Sequence, residues 1–268
     1  MTDFLLKENA GVWFGFFPRL EALGFTNAFT CRFHGESDLV PDNLNLALHV
    51  GDNAEKVLRN RKAVAGALGI DAGKFTACQQ VHGDKIAVVD KEDIGAGRTD
   101  FSSAIADTDA LITAEANVPL MLFFADCVPV VLADPLTGAV GIAHAGWRGS
   151  TLAIAAKTAC KMAEVFGTDL TRLVAAIGPS IGPCCYEVDE KVFRQGREWE
   201  SCFHPTTPGH WQLDLWQMNR LQLLAAGLKP ENVLAANICT EHNRQLFFSY
   251  RAEEGRTGRL SAVILRKQ

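Results

Sequence analysis

The sequence predicts an α+β fold, one domain over residues 1–268 with a mixed β-sheet core flanked by helices. Three observations carry this expectation. Strand-like segments outnumber helical ones, and the helices do not alternate with them as a doubly wound fold requires. Hydrophobic residues make up 48% of the chain and charged residues 21%, enough apolar side chains for a large core. No Pro/Ser-rich linker, low-complexity run or internal repeat divides the chain.

Taken in order, Val12 to Phe17 and Ala28 to Phe33 are apolar and aromatic and read as strands. Arg32-Phe33-His34-Gly35-Glu36-Ser37 is a polar loop, and Leu44 to Asp52 is an alternating segment interrupted at Gly51. Asn53 is placed to cap a helix over Ala54 to Leu68, with Val57, Leu58, Val64 and Leu68 as its apolar stripe. Arg59 and Arg61 on this helix read from spacing alone as solvated. Lys74 to Gln80 and Lys85 to Val89 read as strands around Val81-His82-Gly83-Asp84. That tight turn or bulge would present His82 to a cleft. A loop over Ile94 to Phe101 follows, and Asp107 to Thr113 returns to a strand.

The centre of the chain reads as a β-hairpin. Val128 to Ala133 is the first strand, Asp134-Pro135-Leu136-Thr137-Gly138 the turn, and Ala139 to Ala143 the return strand. Gly146-Trp147-Arg148-Gly149-Ser150-Thr151 then leads into an amphipathic helix over Leu152 to Phe166, with Ser150 or Thr151 as its N-cap. Leu173 to Ile177 is a buried strand and Gly178 to Val188 a constrained loop. Asp189 caps a helix toward Arg197. Asp214 to Ala226 is a helix stopped by Gly227, with Pro230 just beyond. Val233 to Ile238 and Ser261 to Leu265 are strands, and the stretch 239–259 between them is polar.

The formal net charge of -5, without a basic stripe, argues against nucleic acid as the main partner. The opening MTDFLLKENAGVWFGF lacks a charged region followed by a long apolar core, so no signal peptide and no membrane span are expected. The expectation is a cytoplasmic protein, a monomer or small homo-oligomer. Eight cysteines in a chain of this size without a secretory signal read as reduced thiols rather than a disulfide framework.

The hairpin brings its open ends together, so Cys127 just before the first strand and His144 just after the second should lie close. His82 at its own turn can join them. Three ligands scattered over three loops, with a fourth position open, form the pattern of a catalytic metal centre, and one thiolate with two imidazoles suits zinc or copper. The same residues suit a metal-free reading, with Cys127 as nucleophile, His144 or His82 as its base, and Asp126 or Asp109 as orienter. Arg148, between two glycines at a helix start, suits an anion such as phosphate, although those glycines also suit a tight strand-to-helix turn. Cys184 and Cys185 read as buried thiols, since adjacent cysteines do not easily share one ion. Phe247-Phe248-Ser249-Tyr250-Arg251 reads as core, with stacking on a planar ring as the alternative.

Seven motifs now stand in one order: QQVHGDKI, ADTDALIT, FFADCVPVVLAD, GIAHAGWRGS, AAIGPSIGPCCYEV, LDLWQMNRLQLLAAG and CT…FFSYR…TGR. With the earlier NLNLALHVGDNAEKVLRNR they resemble the laccase-domain proteins, also described as multicopper polyphenol oxidoreductases and as purine nucleoside phosphorylases. The resemblance runs from about Asn43 to Arg259. It implies one α+β domain, and a zinc ion, copper being possible, on His82, Cys127 and His144. It also implies phosphorolysis of adenosine, inosine, guanosine and methylthioadenosine, with adenosine deaminase side activity. The implied partners are therefore a purine nucleoside and phosphate, with Arg148, Arg32 and Arg61 as phosphate or substrate contacts. Where the family usually has a Thr-Arg-x-Gly-Gly-Val-Ser type loop, this chain has Cys31-Arg32-Phe33-His34-Gly35-Glu36-Ser37, keeping Arg32 without the glycine pair. Seven histidines and no His-x-His pair favour one metal site over several coppers. The competing classes are a metal-free Cys-His hydrolase or amidase, such as one editing a cell-wall precursor, a copper-dependent polyphenol oxidoreductase, and a non-enzymatic metal- or nucleotide-binding protein.

Overall fold

Every residue of Val128–Ala133 and Val140–Ala145 is buried, so the central hairpin lies in a sheet covered on both faces. A computed structural model describes residues 4–40 and 42–267. Its elements begin with β1 (Leu5–Asn9), β2 (Val12–Phe16), α1 (Pro18–Ala22), β3 (Phe25–Thr30) and α2 (Ala54–Leu68). There follow β4 (Ile86–Val88), β5 (Ala110–Thr113), β6 (Leu120–Phe124), β7 (Val128–Ala133), β8 (Val140–Ala145), α3 (Trp147–Thr151) and α4 (Ile154–Phe166). The chain continues through β9 (Val174–Ile177), β10 (Glu187–Asp189), α5 (Glu190–Gln195), β11 (Phe203–Pro205) and β12 (His210–Leu213). It closes with α6 (Leu215–Ala225), β13 (Val233–Ala235) and β14 (Leu260–Arg266).

Among the described residues the strands form a five-stranded sheet, β1-β2-β3-β14-β6, a six-stranded sheet, β13-β9-β7-β8-β5-β4, and a small three-stranded sheet, β10-β12-β11. The first is antiparallel throughout. The second mixes antiparallel pairs with parallel ones at β13–β9 and β4–β5. The expected α+β architecture with a mixed sheet core is therefore the one observed.

Side chains alternate across each strand, and both faces find an apolar neighbour. Leu120, Leu122 and Phe124 of β6 join Leu260, Ala262 and Ile264 of β14 in a core that meets Val131, Ala133, Val140 and Ile142 of the second sheet. The opposite faces, Met121, Phe123, Val263 and Leu265, pack under α2 through Val64, Ala65 and Leu68. On the far side of the six-stranded sheet, Val128, Val130 and Leu132 meet Ile154, Ala159 and Met162 of α4 and Met218 and Leu223 of α6. The result is a stack of helix, sheet, sheet and helices. The helix ends follow local chemistry. Asn53 and Asp214 each accept a backbone N–H of their helices, and Gly69 and Gly167 close α2 and α4 in left-handed conformation.

Several elements differ from the sequence reading. Over Lys74 to Gln80 only isolated bridges form, Thr76 with Leu120 and Cys78 with Ile105, after a 3-10 turn at Ala72–Lys74. The segment lies at sheet margins and never gains a continuous partner. Ser150 and Thr151 are not caps: they belong to α3, whose N-cap is Gly146, and α4 starts after Ala153 at φ 57°. Their hydroxyls bond backbone carbonyls of Ala145 and Arg148 instead. Strand β6 has no counterpart in the sequence reading, which passes from Thr113 to Val128.

Because β14 bridges β3 and β6 and Ile264 is fully buried, Ile264→Ala is expected to lower the unfolding free energy by about 3 kcal/mol, read by urea denaturation.

Candidate active site

The site forms where the two large sheets part. β6 lies in one sheet and β7 in the other, and only Ala125, Asp126 and Cys127 join them. Asp126 turns the chain at φ 79°. Its carboxylate accepts the Thr240 hydroxyl at 2.6 Å and the Arg251 backbone N–H at 2.7 Å. Cys127, half-buried, is thereby fixed at the rim of β7. His144 stands opposite Pro129 on the adjacent β8 and is only 3% exposed. His82, exposed, arrives on the loop before β4 at φ 63°.

One buried carboxylate organises two of these three residues. Asp109, immediately before β5, accepts N–H groups of Val81, His82 and Gly83 at 3.1, 3.0 and 2.7 Å. It also lies 2.8 Å from His144 Nδ1. A carboxylate only accepts, so Nδ1 carries the proton and Nε2 is left for the cavity. This is the carboxylate–histidine arrangement that orients metal-bound imidazoles. Burial pushes the Asp109 carboxyl up, but the His144 hydrogen bond and charge and the backbone donors outweigh it and hold it below its ordinary value.

The ligand atoms of His82, Cys127 and His144 all lie within 4.8 Å of one another. The two imidazoles sit edge to face with centroids 4.7 Å apart. Gly146 is required here: a Cβ at this position would stand 2.7 Å from Cys127 Sγ and 3.4 Å from His82 Cδ2. Burial raises the Cys127 thiol pKa, yet the His144 charge and hydrogen bonds from both imidazoles bring it down to about 6. Burial conversely lowers His144, and the Cys127 charge and Asp109 hydrogen bond lift it to about 9. Both shifts run toward a thiolate beside an imidazolium. Two imidazoles and a thiolate converging on one point fit a borderline-soft divalent ion, and the donor number leaves a position open for a reactant.

These residues line a cavity of about 540 Å³, the size of a small-molecule site. Arg148 lies on its wall, exposed and stacked on Trp147 at 4.6 Å, with no hydrogen bond from its guanidinium to the described residues. α3 is five residues long, so the anion-attracting feature is this guanidinium rather than a helix dipole. Arg32 and Arg61 are not brought to the cavity. Arg32 bonds Asn43, Arg244 and Glu253. Arg61, 3% exposed rather than solvated, bonds the carbonyls of Leu46, Gly97 and Arg98. Both donor sets are committed to the fold. Of the two orienter candidates, Asp109 reaches His144 and Asp126 holds the rim.

The sequence profile of the family described as multi-copper polyphenol oxidoreductase laccase matches residues 26–267. The chain belongs to that family. Purine nucleoside phosphorylase YlmD of Geobacillus stearothermophilus is 41% identical over 250 residues, covering 91% of each chain. The crystal structure of YlmD from that organism matches over the full length of both chains with a TM-score of 0.95 at 38% identity. Adenosine deaminase RL5, from an unknown prokaryotic organism, is 33% identical over 230 residues, 84% of this chain and 87% of its own.

In this member of the laccase family the cavity also contains residues that sequence reasoning did not select: His49, Gln80 and Arg259. His49, exposed at the cavity mouth, is lowered by partial desolvation and then by the Arg259 and Arg61 charges. The run Phe247 to Tyr250 divides. Both phenylalanines are fully buried, while Tyr250 is 54% exposed on the cavity wall. A strand-end signal finds His82 and His144, and the ring-stacking alternative fits Tyr250, but nothing in the local pattern of His49 marks a cavity. Among the described residues no helix is long and apolar enough to cross a membrane.

The lowered thiol has a direct readout. In metal-free protein Cys127 should remain a thiolate until the pH falls through about 6, whereas an ordinary thiol is protonated below about 9. Its alkylation rate by iodoacetamide, followed by mass spectrometry of the Cys127 peptide, should therefore hold steady at pH 7 and fall below pH 6.

Proposed function

We propose that this chain is a zinc-dependent purine nucleoside phosphorylase acting on adenosine, inosine, guanosine and methylthioadenosine, with adenosine deaminase side activity. The observation that carries the reading is one cavity lined both by a His-Cys-His donor set and by Arg148, whose guanidinium makes no hydrogen bond among the described residues. The relatives named purine nucleoside phosphorylase and adenosine deaminase support the nucleoside class.

In phosphorolysis a phosphate oxygen attacks C1′ of the pentose, the C1′–N bond breaks, and the base leaves with the bonding pair and takes up a proton. The protein must hold phosphate beside the pentose, hold the base, and keep water away. Arg148 offers a planar pair of donors to phosphate without giving up a guanidinium hydrogen bond among the described residues. Phe123, Tyr186 and Tyr250 on the cavity walls give a purine aromatic surfaces to pack on. Asp109 keeps the His144 imidazole in one tautomer and orientation. Zinc on His82, Cys127 and His144 would supply Lewis acidity for the deamination.

One observation favours a second reading. Asp109, His144 and Cys127 also stand in the order of an acid–base–nucleophile triad, with the thiol already lowered. A metal-free hydrolase would use them so. Oxidation of polyphenols through several coppers finds less support, since the whole chain has seven histidines.

Chelation separates the readings. Demetallation should abolish phosphate-dependent release of adenine or hypoxanthine, and zinc should restore it, with one phosphate consumed per base released. Full hydrolase turnover in demetallated protein, with a trapped Cys127 adduct, would overturn the phosphorylase. Arg148→Ala should raise the KM for phosphate roughly tenfold or more, the loss of a charge-assisted hydrogen bond, with zinc content unchanged.

A further inference from the structure

A second group of soft donors lies outside the cavity. Cys184 and Cys185 sit between β9 and β10, and Cys239 and His242 follow β13. Their three sulfurs and one imidazole nitrogen all lie within 4.8 Å of one another. Cys184 Sγ is 3.5 Å from His242 Nδ1, and all three thiols are free. Cys184 is exposed and Cys185 half-buried, against the sequence reading of two buried thiols.

Neighbouring side chains diverge on a strand, so a special backbone is needed to aim two adjacent cysteines at one point. The loop provides it. Cys185 and Tyr186 both donate their N–H to Gly182 O at 3.0 Å, which winds 182–186 into a single turn. Gly182 keeps the space open, since a Cβ there would stand 3.2 Å from Cys184 Sγ and 2.7 Å from the Trp216 ring. The second loop makes a matching turn. Asn243 N–H bonds Cys239 O at 3.0 Å and carries His242 back toward Cys239. The two loops are then tied by Ser180 N–H to Ile238 O at 3.2 Å and Thr240 N–H to Ser180 O at 3.0 Å. Two turns thus converge on four ligands.

We propose that Cys184, Cys185, Cys239 and His242 form a second metal site, for a soft divalent ion of the zinc type. A tetrahedral ion with metal–sulfur distances of about 2.3 Å and metal–nitrogen distances of about 2.0 Å sets its ligand atoms about 3.5–3.8 Å apart. The separation of 3.5 Å from Cys184 Sγ to His242 Nδ1 already lies at that spacing. Three thiolates and one imidazole complete the shell, which is the donor set of a structural ion rather than a catalytic one. The ion would clip together two stretches of the cavity wall. One carries Ile181 and Tyr186; the other carries Thr240, whose hydroxyl holds Asp126 beside Cys127. The site is independent of the reading given to the cavity.

The test counts ions on the intact protein, purified under reducing conditions. Elemental analysis should find about two zinc ions per chain, about one in Cys127→Ser, and about one in Cys184→Ser/His242→Ala, both of whose sites are exposed. Cobalt added to the metal-free Cys127→Ser protein should give an intense thiolate-to-cobalt absorption band that Cys184→Ser/Cys185→Ser lacks. A Cys127→Ser protein that holds no zinc and gives no such band would overturn the second site. So would a wild-type zinc content unchanged by the Cys184→Ser/His242→Ala pair. Zinc retained in Cys127→Ser but no nucleoside turnover in the wild type would instead keep the second site and overturn only the phosphorylase.

Discussion

The Asp109 carboxylate is the constraint on which the candidate site depends. It is fully buried and takes four hydrogen bonds, three from consecutive backbone amides and one from His144. The amides hold His82 in a backbone conformation that a side chain rarely adopts. The imidazole bond fixes the tautomer of His144. A single charge, desolvated at the edge of β5, therefore positions two of the three donors. Its own burial is offset only because every one of its acceptor directions is used.

Cys127 reaches the same place by another route. It follows the short crossing between sheets, and that crossing is held by Thr240 and Arg251 through Asp126. The cavity is thus a seam between two sheets rather than a pocket within one. Seams of this kind join rigid strand ends from distant parts of the chain, which suits a site that must keep its donors in register while its walls vary.

The fold class and the closeness of Cys127 to His144 were legible from local signals, whereas His82 joined them through a turn of its own and the resemblance of the motifs. Turn chemistry at Pro135 and Gly138 and two apolar arms define a hairpin, and a hairpin has only one pair of open ends. His49 and Arg259 were not legible, because their place on the cavity wall is decided by which distant strands become neighbours. The arginines show the opposite limit. Arg61 reads as surface on a helical wheel, yet its guanidinium satisfies three backbone carbonyls in the interior. Arg32 keeps the identity expected of a substrate contact and spends its donors on Asn43, Arg244 and Glu253. Lys74 to Gln80 has strand composition but no partner long enough to make a strand. In each case residue type was informative and the partner was not.

The position of β14 between β3 and β6 has a consequence for how the molecule assembles. Its two partners come from residues 25–30 and 120–124, and the gap between them stays unfilled until residues 260–266 are available. While it is open, two edges bear unpaired amides and carbonyls, and the apolar faces of β6 have no cover. Loop closure over such separations is slow, so the five-stranded sheet should be among the last parts to consolidate. The crossing that carries Cys127 starts at the end of β6. The cavity would therefore mature only after nearly the whole described chain is in place, and a nascent protein would hold its reactive thiol on an unfinished edge.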